Sequence, residues 1–128
     1  MRQRVLIVED DAAARKGLAD LLTLWGYDVE SAGEGAEALQ RVAEEPPAVV
    51  VSDLVMPGMD GLTLLSALRQ DYPESAVIML TGQGSIESAV QAMKEGAYDY
   101  LTKPLDPTRL QVVLERALDR AEAAREVH

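Results

Sequence analysis

Cysteine and phenylalanine are absent from this chain, and histidine occurs once, as the last residue, His128. Without thiols there are no disulfides, no thiolate metal sites and no cysteine nucleophile, and a reducing compartment fits the composition. A lone terminal histidine removes Ser-His-Asp triads, histidine-rich metal centres and an internal phosphohistidine donor. Basic side chains are scarce: 12 Lys and Arg face 22 Asp and Glu, a formal charge of −10. That balance opposes direct binding to nucleic acid or to an anionic membrane surface. No apolar run reaches the roughly 20 residues of a membrane span. Val5 to Val8 is too short, and too quickly followed by acids, to be a signal peptide. The expectation is a cytoplasmic protein that touches neither nucleic acid nor membrane directly.

What is present suits one domain: 128 residues, 48% of them hydrophobic, enough for a single core. Short strand-like runs recur at Arg4–Val8, Tyr27–Ser31, Ala48–Ser52, Ala76–Leu80 and Tyr98–Leu101. Helical periodicity fills the intervals. Ala14, Leu18, Leu21, Leu22 and Trp25 share one helical face, as do Leu110, Val113, Leu114, Ala117, Leu118 and Ala121. Ile86, Ala89, Val90 and Met93 give a third stripe, and Leu62, Leu65 and Leu68 mark a shorter helix. Asp106-Pro107 reads as an N-cap followed by proline at the first helical position. Alternating strands and helices predict a parallel sheet with right-handed crossovers and helices on both faces. The last segment, Arg109 to His128, exceeds what the sheet needs, and Glu122 and Arg125 stand on its polar side. Its end, from about residue 119 to 128, reads either as a solvated helix end or as a linker to an output module.

Charged residues stand where several strand-like runs stop: Asp10 and Asp11 after the first, Asp53 after Val49-Val50-Val51, and Lys103 after Tyr100-Leu101. In open α/β sheets, ligands bind beyond the strand carboxyl ends, so these charges are expected to converge. Crowded carboxylates repel unless a hard divalent cation with oxygen ligands absorbs the charge. Asp53 precedes Leu54-Val55-Met56-Pro57-Gly58, a sharply bent loop, and is expected exposed at the rim of a buried strand as the nucleophile toward a phosphoryl group. Asp11 and Asp53 are read as direct Mg²⁺ ligands, Asp10 as acting partly through water, and the Val55 backbone carbonyl as a third protein ligand. Lys103, before Pro104, would neutralise one phosphoryl oxygen, and Thr81, before Gly82, would donate to another. Phosphorylation then has to move the Gly82–Ser85 loop, and Thr81 with Tyr100 couples it to the surface around Ile86–Glu95 and Tyr98–Leu101. Singly, each residue has an ordinary role: the acids cap helices or turns, Thr81 bonds backbone, Tyr100 lines a core and Lys103 is solvated. Their joint placement favours the site.

At these residues the chain resembles the receiver domain of two-component response regulators over essentially its whole length. Val8-Glu9-Asp10-Asp11 is similar to the acidic pair, Asp53 to Gly61 to the phosphoacceptor loop, Thr81-Gly82 to the switch threonine, and Gly96 to Pro104 to the switch aromatic and lysine-proline segment. The resemblance implies a flavodoxin-like, doubly wound five-stranded parallel sheet of order 2-1-3-4-5 with five helices. It also implies Mg²⁺-dependent phosphoryl transfer from a histidine kinase to Asp53, with slow loss by hydrolysis. The run Thr81 to Ala97 looks most like the nitrogen-regulatory class, in which an ATPase and a DNA-binding module follow the receiver. Pairing of two copies through the fourth helix, last strand and last helix belongs to the same implication. Leu105 departs from the phenylalanine frequent after lysine-proline.

The competing reading is a Mg²⁺-dependent phosphohydrolase with an aspartyl nucleophile. Haloacid-dehalogenase-like enzymes carry a second acid two residues after the nucleophile, and here that residue is Val55. A flavin-binding flavodoxin would need hydroxyls and glycine after the first strand, where Glu9-Asp10-Asp11 stands. A regulatory domain, catalysing only its own phosphorylation and dephosphorylation, fits best.

Overall fold

The computed structural model of the chain describes residues 3–82 and 86–126. Gln83, Gly84 and Ser85, and the side chain of Arg125, on which parts of the sequence reading fall, lie outside the described residues. Strands β1 (Arg4–Val8), β2 (Asp28–Ala32), β3 (Val49–Asp53), β4 (Ala76–Thr81) and β5 (Asp99–Thr102) alternate with helices. The helices are α1 (Ala12–Leu24), α2 (Gly35–Glu44), α3 (Gly61–Asp71), α4 (Ile86–Lys94) and α5 (Pro107–Glu126). All strand pairs are parallel and the sheet order is β2-β1-β3-β4-β5. The chain therefore has the doubly wound, flavodoxin-like topology expected of it.

Strand alternation builds two cores. Val5, Ile7, Val49, Val51, Ile78 and Leu80 point to the face covered by α1 and α5, while Leu6, Val8, Val50, Val77 and Met79 point to the face covered by α2, α3 and α4. A strand buried on both sides must be apolar at every position, which is why these runs read as continuous rather than alternating. The α5 stripe is buried throughout, from Leu110 to Ala121. In α3 the inward residues are Gly61, Leu64, Leu65 and Leu68, with Leu62 packed at the margin.

The outcome differs from expectation in α4. Ala89 and Ala92 face the core, while Ile86, Val90 and Met93 are 71%, 46% and 41% exposed. Two neighbouring stripes of this short helix are both apolar, and periodicity does not say which one turns inward. In α1, Ala14 is likewise exposed, with Leu18 and Leu22 carrying the burial.

Strands β2, β3 and β5 begin and end one residue later than expected, and β4 runs on to Thr81. Tyr27 still donates its N–H to Leu22 O, so it closes the end of α1 instead of opening β2. Asp53 is thus the last residue of β3, and Leu54 N continues the ladder by donating to Leu80 O. Proline opens α5 behind Asp106, whose Oδ1 accepts from Thr108 N at 3.0 Å. The Lys103–Pro104 peptide is cis.

Asp60 caps α3, its Oδ1 accepting from Thr63 N at 2.8 Å, and this bond holds its carboxyl below the ordinary carboxylate range. A depressed folded-state pKa means stability that is present above the unfolded pKa and lost as pH falls through the folded one. Asp60→Ala is expected to cost about 1 kcal/mol at neutral pH. Asp60→Asn should keep most of the cap and lose part of the acid dependence. Urea unfolding at pH 7 and in the acid range checks both; equal pH profiles for wild type and Asp60→Asn would contradict the assignment.

Candidate functional site

Parallel pairing brings the carboxyl ends of the strands to one edge of the sheet: Val8 is level with Ser52, Asp53 with Leu80, and Thr81 with Thr102. The residues that follow these ends are thrown together by topology alone. Glu9 continues β1, its N–H donating to Ala32 O at 3.1 Å. Lys103 follows β5, and its N–H donates to Thr81 O at 2.7 Å.

From there the Lys103 side chain spans the end of β4. Its Nζ donates to Asp53 Oδ2 at 2.8 Å and to Glu9 Oε1 at 2.9 Å. Both acids are buried, Glu9 at 3% and Asp53 at 8% exposure. The buried setting of Asp53 differs from the exposed rim expected of it, because the residue belongs to the β3 ladder and Lys103 lies against its carboxylate. Burial alone would pull the Lys103 pKa down; hydrogen bonds and charge from Asp53 and Glu9 outweigh it, and the pKa is raised.

Asp10, exposed at the mouth, completes a group in which one carboxylate oxygen each from Glu9, Asp10 and Asp53 lies within 4.8 Å of the others. One ammonium against three carboxylates leaves two negative charges uncompensated when all are ionised. Hard oxygen donors with that residual charge suit a divalent cation such as Mg²⁺.

Asp11 stands outside this group. It is the N-cap of α1, its Oδ2 accepting from Ala14 N at 2.9 Å. The residue missed as a contributor is therefore Glu9. Its signal was available: counting in twos from Val5 and Ile7 puts Glu9 on the face where Lys103 lies, whereas Asp11 is the residue before α1.

Gly61 closes the loop after Asp53, its N–H donating to Leu54 O at 2.8 Å. A Cβ there would sit 2.6 Å from Asp53 O and 2.7 Å from Leu54 Cα, so only glycine permits this approach. Gly58 takes a positive φ of 77° within the same loop. Val55 is carried outward, 73% exposed.

Thr81 is buried, and its Oγ1 makes only a long contact of 3.5 Å with Leu101 O. Tyr100, level with Met79 across the β4–β5 pair, is half-buried against the core beneath α3 and α4.

The doubly wound parallel sheet, with acids, threonine and lysine gathered at its carboxyl edge, places the chain in the flavodoxin-like class. A family model described as the response regulator receiver domain matches residues 5–115, and the chain belongs to that family. Its relatives include the nitrogen assimilation regulatory protein NtrX of Azorhizobium caulinodans, 38% identical over 99% of this chain and 28% of that protein. The DNA-binding transcriptional regulator NtrC of Escherichia coli is 40% identical over 89% of this chain and 24% of its own length. The response regulator protein FleR of Pseudomonas aeruginosa is 41% identical over 91% and 24% respectively. The nitrogen-regulatory likeness read from residues 81–97 is thus borne out.

Among solved structures, NtrX from Brucella abortus in complex with ATP has a TM-score of 0.92 and 36% identity, covering 99% of this chain and 29% of that one. A response regulator receiver domain protein from Clostridium thermocellum has a TM-score of 0.91 and 31% identity, covering 95% and 98%. The chain spans about a quarter of the length of the curated relatives it matches. No helix among the described residues is long and apolar enough to cross a membrane.

Gly61→Ala is expected to destabilise the domain by about 1–3 kcal/mol, because backbone rather than a flexible side chain stands in the way. It should also displace the amide resonances of residues 53–55. An unchanged urea midpoint with unchanged resonances would show that the loop yields freely.

Proposed function

We propose that this domain is a signal-transduction phosphoacceptor: it takes a phosphoryl group from the phosphohistidine of a histidine kinase onto Asp53, with Mg²⁺ as cofactor, and in doing so controls an output module. The observation that carries the reading is the Lys103 ammonium bridging Glu9 and Asp53, with the Asp10 carboxylate close by. The cation would be held by Glu9, Asp10 and Asp53, with the backbone carbonyl of Val55 as a further ligand. Asp11, first read as a direct ligand, is assigned the α1 cap instead. When bound, Mg²⁺ offsets the charge on the phosphoryl oxygens and lets an anionic donor approach an anionic pocket.

The protein's own part is placement. An Asp53 carboxylate oxygen forms the new O–P bond as the donor's N–P bond breaks, and the leaving imidazole nitrogen keeps its electron pair. Lys103 already touches Asp53 Oδ2 and is positioned to pair with an oxygen of the transferred group. The domain acts on no other substrate; it catalyses its own phosphorylation and its slow hydrolysis.

Thr81 holds its hydroxyl by a weak contact, so a phosphoryl oxygen is a better partner for it than Leu101 O. Movement of Thr81 toward the phosphoryl group frees space beside β5, and Tyr100 is the half-buried side chain on that strand able to respond. The change then reaches the surface around α4 and β5. Exposed Ile86, Val90 and Met93 make that surface apolar, which suits contact with an output module or with a second copy through α4, β5 and α5. Output through an ATPase and a DNA-binding module is supported by the relatives: NtrC is by name a DNA-binding transcriptional regulator, and the Brucella NtrX structure holds ATP. Such a system works in the cytoplasm, and α5 beyond residue 119 would lead toward the output module.

Incubation with acetyl phosphate and Mg²⁺ is expected to add one phosphoryl group by intact mass, and Asp53→Asn to abolish the addition. An equal adduct in Asp53→Asn would refute the assignment. Thr81→Ala is expected to accept phosphate normally yet lose most of the phosphorylation-dependent NMR shifts across Ile86–Lys94. Lys103→Met should lose the same shifts while retaining Mg²⁺ affinity; loss of the metal with an intact switch would reverse the role given to Lys103.

A further inference from the structure

The acidic pocket depends on where the backbone of Glu9 sits, and one side chain of α1 governs it. Arg15 folds back over the start of its own helix, and its Nη1 donates to Glu9 O at 2.9 Å. The opposite side of the same residue is tied as well, since Glu9 N donates to Ala32 O. Between these two bonds the Glu9 backbone is fixed, and its buried carboxylate is aimed at Lys103.

An arginine near a helix N-terminus is electrostatically misplaced, because the positive end of the helix dipole favours anions there. The first turn of α1 carries no acid, and the carboxylate at the N-cap, Asp11, is engaged with Ala14 N. The neighbours of Arg15 have made room for it even so. A Cβ on Gly33 would lie 3.1 Å from Arg15 Nη1, so the glycine leaves the guanidinium its place. Gly33 is in turn held by Glu37, whose Oε1 accepts from Gly33 N at 2.8 Å. That bond is the chief reason the Glu37 carboxyl lies below its ordinary range, against the opposing effect of burial, with Arg41 and Arg15 contributing. Arg41 bonds Glu37 and Glu30, and Glu30 bonds Arg4, so the turn at Gly33 is itself anchored to α2, β2 and β1.

We propose that Arg15 is a positioning residue for the metal pocket: by clamping Glu9 O beside the anchored Gly33 turn, it holds the Glu9 and Asp10 carboxylates at the spacing Mg²⁺ requires. The inference rests on the function proposed above. It assigns to a residue that touches neither metal nor phosphoryl group the task of setting metal affinity.

Charge and position give opposite signs, which makes the test sharp. A cation beside an acidic pocket repels Mg²⁺, so if Arg15 acted through charge alone its removal would tighten metal binding. If it acts by position, removal loosens binding, by roughly 10-fold on the scale of outer-shell changes at metal sites. Arg15→Met keeps the aliphatic stem and deletes the guanidinium. Mg²⁺ titration of the domain without phosphodonor, followed by NMR or calorimetry, reads the affinity directly. Val113→Ala, on the buried face of α5, controls for loss of stability.

The expected result is a weakened Mg²⁺ affinity in Arg15→Met, with wild-type affinity in Val113→Ala. Phosphorylation by acetyl phosphate should then show a raised Mg²⁺ requirement and a wild-type rate at saturating metal. Unchanged or tighter binding in Arg15→Met overturns the inference while leaving the proposed function standing. Equal weakening in Val113→Ala also overturns it. Failure of the wild-type domain to bind Mg²⁺ overturns the reading of the pocket itself and this inference with it.

Discussion

Two carboxylates buried at the ends of adjacent parallel strands would repel each other and pay heavily for leaving water; a single ammonium between them makes the arrangement tenable. Lys103 supplies it from β5, two strands away from β3, by extending across the end of β4 to reach Asp53 and Glu9 together. The rest of the edge follows from that span. Thr81 ends the strand being crossed, with Gly82 after it, and Lys103 N is tied to Thr81 O, so the lysine and the threonine share one local framework. Asp53 is therefore linked through Lys103 to the ends of both β4 and β5.

The ammonium offsets only part of the negative charge. This incomplete balance distinguishes the pocket from a closed ion pair: one ammonium faces three carboxylates, and hard oxygen donors with that residual charge suit a divalent cation. Backbone constraints keep it shaped. Gly61 allows the loop after Asp53 to close against the strand, and the Arg15 contact fixes the turn after β1 from the other side. Both act on main-chain atoms and not on the carboxylates of Glu9 and Asp53, which face Lys103.

Away from the pocket, α4 is held to the sheet by small side chains, Ala89 and Ala92, and presents Ile86, Val90 and Met93 outward. A helix packed through alanines buries less apolar area per residue than α5 does with Leu110, Leu114 and Leu118, and so gains less from its present position. That asymmetry leaves α4 the more lightly packed of the two helices, on the sheet face opposite α5.

The sequence was most legible where physical constraint is local or repetitive. Valine-rich runs announce strands buried on both faces, Asp106-Pro107 announces a helix start, and the α5 stripe from Leu110 to Ala121 has one inward solution. Topology followed from alternation, and with it the convergence of Asp10, Asp53, Thr81 and Lys103 on one edge. Tertiary structure decided what is settled by a single residue of phase or by competition between neighbours. It took Asp11 for the α1 cap and gave the buried place to Glu9, because the helix begins at Ala12 and needs an acceptor immediately before it. It turned the alanine stripe of α4 inward, since two adjacent apolar faces are equivalent until a sheet lies beneath one of them. The placement of Arg15 on Glu9 O was likewise invisible, because a side chain's choice of a backbone carbonyl leaves no periodic trace and exists only once β1, β2 and α1 have met.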